Sequence, residues 1–282
     1  MKPLRQFLLF LVYSNLFIAA CAVLMVKQTG QLLLTDNQNE DFTRFVFFST
    51  LCSYSFHFYF TLHSLLPSSR FDWQKKWRPV HIVLFIAGLG GAAFYFLRLS
   101  DYWPWLLPAV VATFLYSAPK IPHPLFRALL KVAIGKTIFL AFIWMYVTTV
   151  LPVIVSGAVW KTEHGLFAAS RFFFIYCIAI LFDYRDRADD KATGIRSLIT
   201  WLSEKNITRL FVFSLLVFTM LTLLLYQYGF NATPIIFLLV PGVILAAIYN
   251  HARRNFSDLL YYVVLDGLIA LSAVLMMIPL RS

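Results

Sequence analysis

The chain has 282 residues, of which 60% are hydrophobic and 13% charged, and its mean hydropathy is +0.75. Soluble domains are about 45–50% apolar and about 25% charged, so this composition excludes a water-soluble globule, and its hydrophobicity excludes a disordered chain. In so apolar a protein, the net charge of +11 is explained by basic residues that orient the chain in a membrane and contact anionic lipids. We therefore expect no nucleic-acid partner.

The hydrophobic residues lie in long unbroken runs separated by polar segments. Runs of about twenty apolar residues predict membrane-spanning helices, so we expect an all-α, polytopic helix bundle that forms one membrane domain over residues 1–282. The nine predicted transmembrane helices are Phe7–Val26, Phe45–Leu66, His81–Leu97, Pro104–Ala118, Thr137–Ser156, Gly165–Phe182, Leu210–Tyr228, Pro234–Tyr249 and Leu259–Leu280.

The basic residues predict the orientation of this bundle. If the N-terminus is inside, most of the 24 Lys and Arg residues fall in inside segments and few fall outside. Because positive charge is retained on the cytoplasmic side, we expect a multi-pass protein of a bacterial inner membrane, with its N-terminus cytoplasmic and its C-terminus outside. Arg44 and Arg171 are expected at outer helix ends, where long basic side chains can reach the interface.

The sixth predicted span leads into an acidic stretch, in which four of the 13 acids of the chain lie within eight residues. Asp183, Asp186 and Asp190 have the spacing i, i+3, i+7, so on a helix they share one face, and Asp189 lies off it. Carboxylates at the mouth of a helix bundle suit Mg²⁺, which binds a few carboxylates together with phosphate oxygens. The alternative is a solvated loop of mixed charge at a helix end.

The same stretch resembles the second aspartate-rich motif of the UbiA family of intramembrane prenyltransferases, which is roughly Asn-Asp-x-Arg-Asp-x-x-x-Asp-x-x-x-Gly-x-[Lys/Arg]-[Thr/Ser]-Leu. The matching residues are Asp183, Arg185, Asp186, Asp190, Gly194, Arg196, Ser197 and Leu198. Phe182 stands where the family has Asn. The nine helices and inside N-terminus of the family agree with the topology predicted from the charges.

The resemblance implies prenyl transfer from a polyprenyl diphosphate to a membrane-soluble acceptor. Mg²⁺ would be the cofactor, held by Asp183, Asp186 and Asp190, and Asp186 and Asp190 would be the catalytic residues. Residues expected to bind the substrate are Arg185, Lys191, Arg196 and Lys136. Lys136 begins the fifth span, where its side chain either reaches a phosphate or extends to the interface.

The chain departs from the family at the inner end of the second span. The family has a first motif there, Asn-Asp-x-x-Asp-x-x-x-Asp, whereas residues 54–66 of this chain contain neither Asn nor an acid. His57 and His63 are either polar substitutes or packing residues. A second hypothesis follows: a non-catalytic UbiA-like membrane protein that binds an isoprenoid or a lipid phosphate.

Charged residues elsewhere leave two further questions open. The basic residues after the second span are Arg70, Lys75, Lys76 and Arg78. They could neutralise phosphate without a metal, although the positive-inside pattern accounts for them equally well. Asp266 lies eight residues beyond Asp258, about 12 Å deeper along the last span. An acid at that depth is either functional or paired with a polar group of a neighbouring helix.

Overall fold

A computed structural model of the chain describes residues 2–34, 38–60, 68–118, 121, 123, 135–192 and 197–278, and every regular element in these ranges is helical. The α-helices are α1 (Lys2–Tyr13), α2 (Leu16–Leu33), α3 (Glu40–Tyr59), α4 (Ser69–Lys76), α5 (Arg78–Arg98), α6 (Trp103–Ser117), α7 (Lys136–Met145), α8 (Leu151–Val155), α9 (Thr162–Ala192), α10 (Leu198–Trp201), α11 (Glu204–Leu224), α12 (Ala232–Ala252) and α13 (Asp266–Met276). Two π-helical turns, Tyr146–Val150 and Leu260–Leu265, respectively join α7 to α8 and precede α13.

Among the described residues, six helices are long and apolar enough to cross a membrane. They are Leu16–Leu33, Arg78–Arg98, Lys136–Val155, Thr162–Arg185, Glu204–Tyr228 and Ala232–Ala252. Leu4–Tyr13 and Leu260–Met276 are shorter apolar helices. The all-α prediction is confirmed, and the protein is an integral membrane protein. The count of nine spans and the UbiA-like arrangement stay predictions.

The first predicted span, Phe7–Val26, is interrupted in the structure. Helix α1 ends at Tyr13 and α2 begins at Leu16, because Asn15 adopts a left-handed backbone conformation with φ of 68°. Asn tolerates this conformation better than most residues. The buried Asn15 side chain donates to Ser55 Oγ (3.4 Å) and accepts from Arg70 Nη2 (2.7 Å), which ties the break to α3 and α4.

Helix α9 is longer than its predicted span, Gly165–Phe182. It continues for ten residues past Phe182, to Ala192, so the acidic stretch lies on helix and not in a loop. The apolar run stops where the side chains become polar, but the helical backbone does not depend on apolar side chains. Arg187 supports the extension, because its Nη1 pairs with Glu204 Oε1 at 2.5 Å and its Nη2 donates to the Leu202 carbonyl.

The buried cation Arg171 holds three helices together in the interior of the bundle. Its guanidinium donates to the carbonyls of Met25 (3.2 Å) and Thr148 (2.7 Å). It also donates to side-chain oxygens of Gln28, Thr29 and Thr149. The expectation that Arg171 extends to the membrane interface is therefore wrong, since this side chain is buried among polar groups of α2 and of the π-turn at Tyr146–Val150.

Pro152 accounts for part of this arrangement. Proline has no N–H, so the carbonyl of Thr148, four residues earlier, receives no helical bond from it. Arg171 Nη1 and Thr29 Oγ1 (2.6 Å) donate to that carbonyl instead. Groups from neighbouring helices thus satisfy the backbone position that the proline leaves without a donor, as a bilayer environment requires.

Helices α3 and α5 approach each other closely because glycines on α5 carry no side chain. A Cβ atom placed on Gly88 would lie 2.7 Å from the backbone nitrogen of Cys52, and one on Gly91 would lie 2.4 Å from the Phe48 ring. Small residues allow this kind of backbone approach between membrane helices. The opposite face of α5 exposes apolar side chains such as Val83 and Leu97, which is typical of contact with lipid.

We expect the Gly88→Ala substitution to lower the free energy of unfolding by about 1–3 kcal/mol, because the methyl group overlaps the backbone of Cys52. Gly90→Ala is the matched control, since no atom of the described residues outside its own stretch of α5 lies within 4 Å of its added Cβ. It should stabilise by up to about 1 kcal/mol through helix propensity. Thermal unfolding of the detergent-solubilised variants measures both effects. Equal shifts for the two variants would contradict close packing at Gly88.

Candidate functional site

A cavity of about 1590 Å³ lies within the helix bundle. Most of its wall comes from α3, α6, α7, α9 and the helical segment that contains Tyr262 and Asp266. The acidic side chains that line it are Asp183, Asp186, Asp189, Asp190 and Asp266. Its basic side chains are Arg70, Lys136 and Arg185. Most of the other lining residues are aromatic or aliphatic, so charged groups and an apolar hollow are combined in one site.

The acids of α9 meet the first turn of α7. Lys136 Nζ lies 3.5 Å from Asp183 Oδ1 and 3.5 Å from Asp190 Oδ2, so one ammonium bridges two carboxylates. Asp183 also accepts a short hydrogen bond from the Thr137 hydroxyl. The structure therefore brings together Asp183, Asp190 and Lys136, and it places Asp186 on the same cavity wall.

Burial makes negative charge costly at this wall, where several carboxyl groups lie close together. Desolvation raises the pKa of Asp190 to about 6; the Lys136 ammonium opposes this rise, and the charges of Asp183 and Asp186 add to it. A carboxyl group that is costly to ionise in a buried site gains most when a cation lies beside it. The wall therefore favours a bound cation, and Lys136 supplies one positive charge there.

The protein supplies only some of the oxygen ligands that Mg²⁺ requires. Among the described residues, no three His, Cys, Asp or Glu side chains are grouped closely enough to hold a metal ion. Mg²⁺ commonly takes one or two carboxylates and completes its octahedral shell with water and phosphate oxygens. Asp186 and Asp190 are one helical turn apart on the cavity wall and fit that smaller role.

The other predicted site residues have different positions. Arg185 is buried and donates to Asp258 Oδ1 at 2.7 Å. Lys191 is exposed and does not line the cavity, so the structure does not bring it to the acids. Asp189, expected to lie off the acidic face, does line the cavity. Arg196 and His63 lie outside the described residues.

Asp258 is a buried hub, and its position in the sequence does not indicate that it belongs to the site. Its carboxylate accepts from Ser68 Oγ (3.0 Å), from Ser69 Oγ (3.0 Å) and from the backbone N–H of Arg70 (2.9 Å), besides Arg185. Burial alone would raise the pKa of Asp258, but these donors and the Arg185 charge outweigh it, so the pKa is lowered. The hub joins α4, α9 and the start of the last apolar helix.

We expect stability to fall in acid partly through Asp258. Because its folded-state pKa is lowered, the carboxylate contributes stability above its unfolded pKa of about 4, and that contribution is lost as the pH falls through the folded value. Asp258→Asn should cost about 1.5–3 kcal/mol at neutral pH, since a charged hydrogen-bond acceptor is lost. Thermal unfolding of the wild-type protein and the variant between pH 3 and pH 7 measures this. If the stability difference between the wild-type protein and the variant stays constant across that range, Asp258 does not stabilise the fold as an ionised carboxylate.

The remainder of the wall is largely aromatic. Tyr54 meets Trp144 edge-on with ring centroids 6.4 Å apart, and His57 stacks on Tyr116 at 5.5 Å. His57 Nδ1 also lies 3.2 Å from Ser117 Oγ. The described part of the α3 end therefore gives the cavity aromatic groups and a histidine, with no carboxylate.

Asp266 lies on the cavity wall with 9% of its surface exposed. It begins α13, directly after the π-turn at Leu260–Leu265. Such turns are frequent at functional sites. Asp266 thus lies within the shorter apolar helix Leu260–Met276, and its depth in a last membrane span stays a prediction.

Comparison of the chain with protein-family models, with curated proteins and with solved structures finds no match.

Proposed function

We propose that the protein transfers a prenyl group from a polyprenyl diphosphate to a membrane-soluble acceptor, as the UbiA-like acidic motif implies. One observation carries the proposal: a cavity of about 1590 Å³ combines a charged wall with apolar and aromatic walls. A prenyl diphosphate has the same two parts, a highly charged headgroup and a long hydrocarbon chain. A cavity with both kinds of wall therefore suits this class of ligand.

The headgroup is assigned to the wall formed by α9 and α7. Asp186 and Asp190 would hold Mg²⁺ there. When bound, this ion would neutralise the charge that develops on the departing diphosphate. Lys136, which lies within 3.5 Å of Asp190, would turn its ammonium to a phosphate oxygen, and Arg185 would add a second cation.

The transfer requires that the allylic carbon–oxygen bond breaks with its electron pair leaving on the diphosphate. The prenyl carbon then bonds to the acceptor, which loses a proton. Tyr54, Phe58 and Trp144 line the cavity, and aromatic faces stabilise a neighbouring positive charge. These walls would also keep water from the carbocation until the acceptor attacks.

Several lining residues suggest how a lipid tail reaches the cavity. Leu89, Val110 and Phe142 line the cavity and are exposed apolar side chains. In an integral membrane protein such exposed apolar residues face lipid tails. A hydrocarbon chain could therefore pass between bilayer and cavity beside these side chains without crossing water.

A second candidate function is non-catalytic binding of an isoprenoid or a lipid phosphate. The specific observation in its favour is that Lys136 already bridges Asp183 and Asp190. An internal cation in that position can replace a metal ion in balancing the acids. The lack of an acid in residues 54–66 points the same way.

Release of diphosphate from a prenyl diphosphate by the purified protein separates the two functions. The protein in lipid nanodiscs is incubated with farnesyl diphosphate and geranylgeranyl diphosphate, with Mg²⁺ or with EDTA, and with a membrane lipid extract as the source of acceptor. We expect diphosphate release only with Mg²⁺, together with a prenylated lipid. If the substrates bind and are never consumed, the enzymatic function is wrong and the binding function stands.

A further inference from the structure

Two buried arginines lie on the cavity wall next to the acids. Arg70 comes from α4 and Arg185 from α9, and their side chains are only 3% and 5% exposed. Their guanidinium carbons lie 4.0 Å and 4.8 Å from the centroid of the Tyr262 ring. Both residues line the cavity, so two cations and one aromatic ring form a compact group. We call Arg70, Arg185 and Tyr262 the arginine pair site.

The described residues do not supply enough acceptors for this group. Arg70 Nη2 donates to Asn15 Oδ1 (2.7 Å), and Arg185 Nη2 donates to Asp258 Oδ1 (2.7 Å). Arg70 Nε and Arg185 Nε and Nη1 are buried and have no hydrogen-bond partner among these residues. Unpaired buried donors are costly and rare, so each such group calls for an explanation.

The charge of the arginine pair site is also incompletely balanced by direct contacts. Asp258 is the carboxylate that pairs with Arg185, and the same carboxylate already accepts from Ser68, Ser69 and the Arg70 backbone. The Arg70 guanidinium contacts a neutral amide and the rings of Phe58 and Tyr262. The buried carboxyl group of Asp266 interacts electrostatically with both arginines, and an anionic ligand in the cavity would supply the missing acceptors.

The arginine pair site adjoins the proposed metal-binding wall. Tyr262 interacts electrostatically with Arg70 and Arg185 and also with Asp186. Carboxylates on one side would attract a metal ion, and guanidinium groups on the other would attract phosphate oxygens. Arginine suits this role because its planar donors match phosphate geometry.

We propose that Arg70 and Arg185 bind the phosphoryl oxygens of the headgroup, in place of a metal ion held by acids at the end of the second span. This inference rests on the proposed function for the identity of the headgroup as a prenyl diphosphate. Residues 54–66 contain no acid that could hold such an ion. The two guanidinium groups carry the same charge as one divalent cation, and they need no metal.

Binding of inorganic pyrophosphate and of a prenyl thiolodiphosphate, measured by calorimetry, tests this site. Because the arginines need no metal, we expect the wild-type protein to bind both ligands in EDTA, and Mg²⁺ to tighten binding further. The prenyl ligand should bind more tightly than pyrophosphate, since its tail enters the apolar cavity. Nanodiscs with anionic phospholipid and with neutral phospholipid show whether a lipid headgroup competes for the site.

The Arg70→Gln substitution should weaken pyrophosphate binding in EDTA by about ten- to hundredfold, because charged hydrogen bonds are lost. Arg70→Lys should retain part of the affinity. Lys75→Gln is the matched control, because Lys75 is an exposed cation on the same helix, and it should leave binding unchanged. Thermal unfolding of each variant separates loss of binding from loss of fold.

Three results would overturn the inference. Arg70→Gln could bind pyrophosphate as tightly as the wild-type protein while unfolding at a lower temperature, which would make Arg70 a purely structural tie. The wild-type protein could lose all pyrophosphate binding in EDTA while keeping Mg²⁺-dependent release, in which case only this inference fails. If the wild-type protein neither binds nor releases diphosphate under any condition, the proposed function fails with it.

Discussion

Asp190→Asn and Asp186→Asn are each expected to slow diphosphate release by about 10²–10³-fold, the usual effect of losing one electrostatic contact to a charged transition state. Both carboxylates line the cavity, and Asp190 lies beside Lys136. An amide keeps the size of the side chain and removes the charge that would hold Mg²⁺. Single-turnover release of diphosphate from a prenyl diphosphate in nanodiscs measures the loss.

Asp72→Asn is the control for these two variants. Asp72 lies on α4 and is exposed, so the substitution should leave the rate unchanged. Prenyl diphosphate binding to each variant should also be measured, because loss of metal and loss of substrate affect the rate differently. If both acid variants release diphosphate at the wild-type rate, Asp186 and Asp190 have no part in the reaction.

Arg171→Gln is expected to lower the free energy of unfolding by about 3–5 kcal/mol, the range for removing one partner from a buried charged network. The arginine is 5% exposed and donates to two other helical segments at once, α2 and the π-turn at Tyr146–Val150. The shorter glutamine side chain cannot reach all of these acceptors. The carbonyl of Thr148 would lose a donor that Pro152 cannot replace.

Arg44→Gln is the matched control for Arg171. Arg44 is exposed and lies 3.6 Å from Asp41, and exposed ion pairs of this kind contribute about 0–1 kcal/mol. Thermal unfolding of the two variants in the same detergent compares them directly. Similar small shifts for both would mean that the polar groups around Arg171 find other partners or water.

The helical class of the fold could be predicted from composition and apolar runs alone. The ends of the helices could not, because hydropathy reports where side chains become polar and not where a backbone stops being helical. Helix α9 shows the difference, since it continues ten residues past Phe182 through a charged stretch. Asn15 shows the opposite case, in which a single residue interrupts a continuous apolar run.

The acidic part of the candidate site was also visible in the sequence. Asp183, Asp186 and Asp190 are close in sequence, so helical spacing alone places them on one face, and all three line the cavity. Lys136 was predicted from its position at the start of a span, but its bridging contacts with Asp183 and Asp190 could not be foreseen. Those contacts depend on how α7 packs against α9.

Arg185 and Arg70 were both considered for phosphate binding from the sequence, but their arrangement on one cavity wall could not be predicted in the same way. Arg70 and Asp258 are 188 residues apart in sequence, and the bond between them forms only when the bundle is assembled. In the sequence, Arg70 has the pattern of an ordinary basic residue in an inside loop. Arg171 was misassigned for a related reason, since its polar partners come from two distant helices.

Electron paramagnetic resonance of Mn²⁺, used in place of Mg²⁺, tests one claim above all: that the α9 acids hold a divalent ion against the diphosphate of a lipid in the cavity. With wild-type protein and a prenyl thiolodiphosphate, we predict that the free Mn²⁺ signal disappears and that bound Mn²⁺ shows ³¹P coupling, and that Asp186→Asn combined with Asp190→Asn abolishes both. An unchanged free Mn²⁺ signal with the wild-type protein and saturating ligand would contradict the claim.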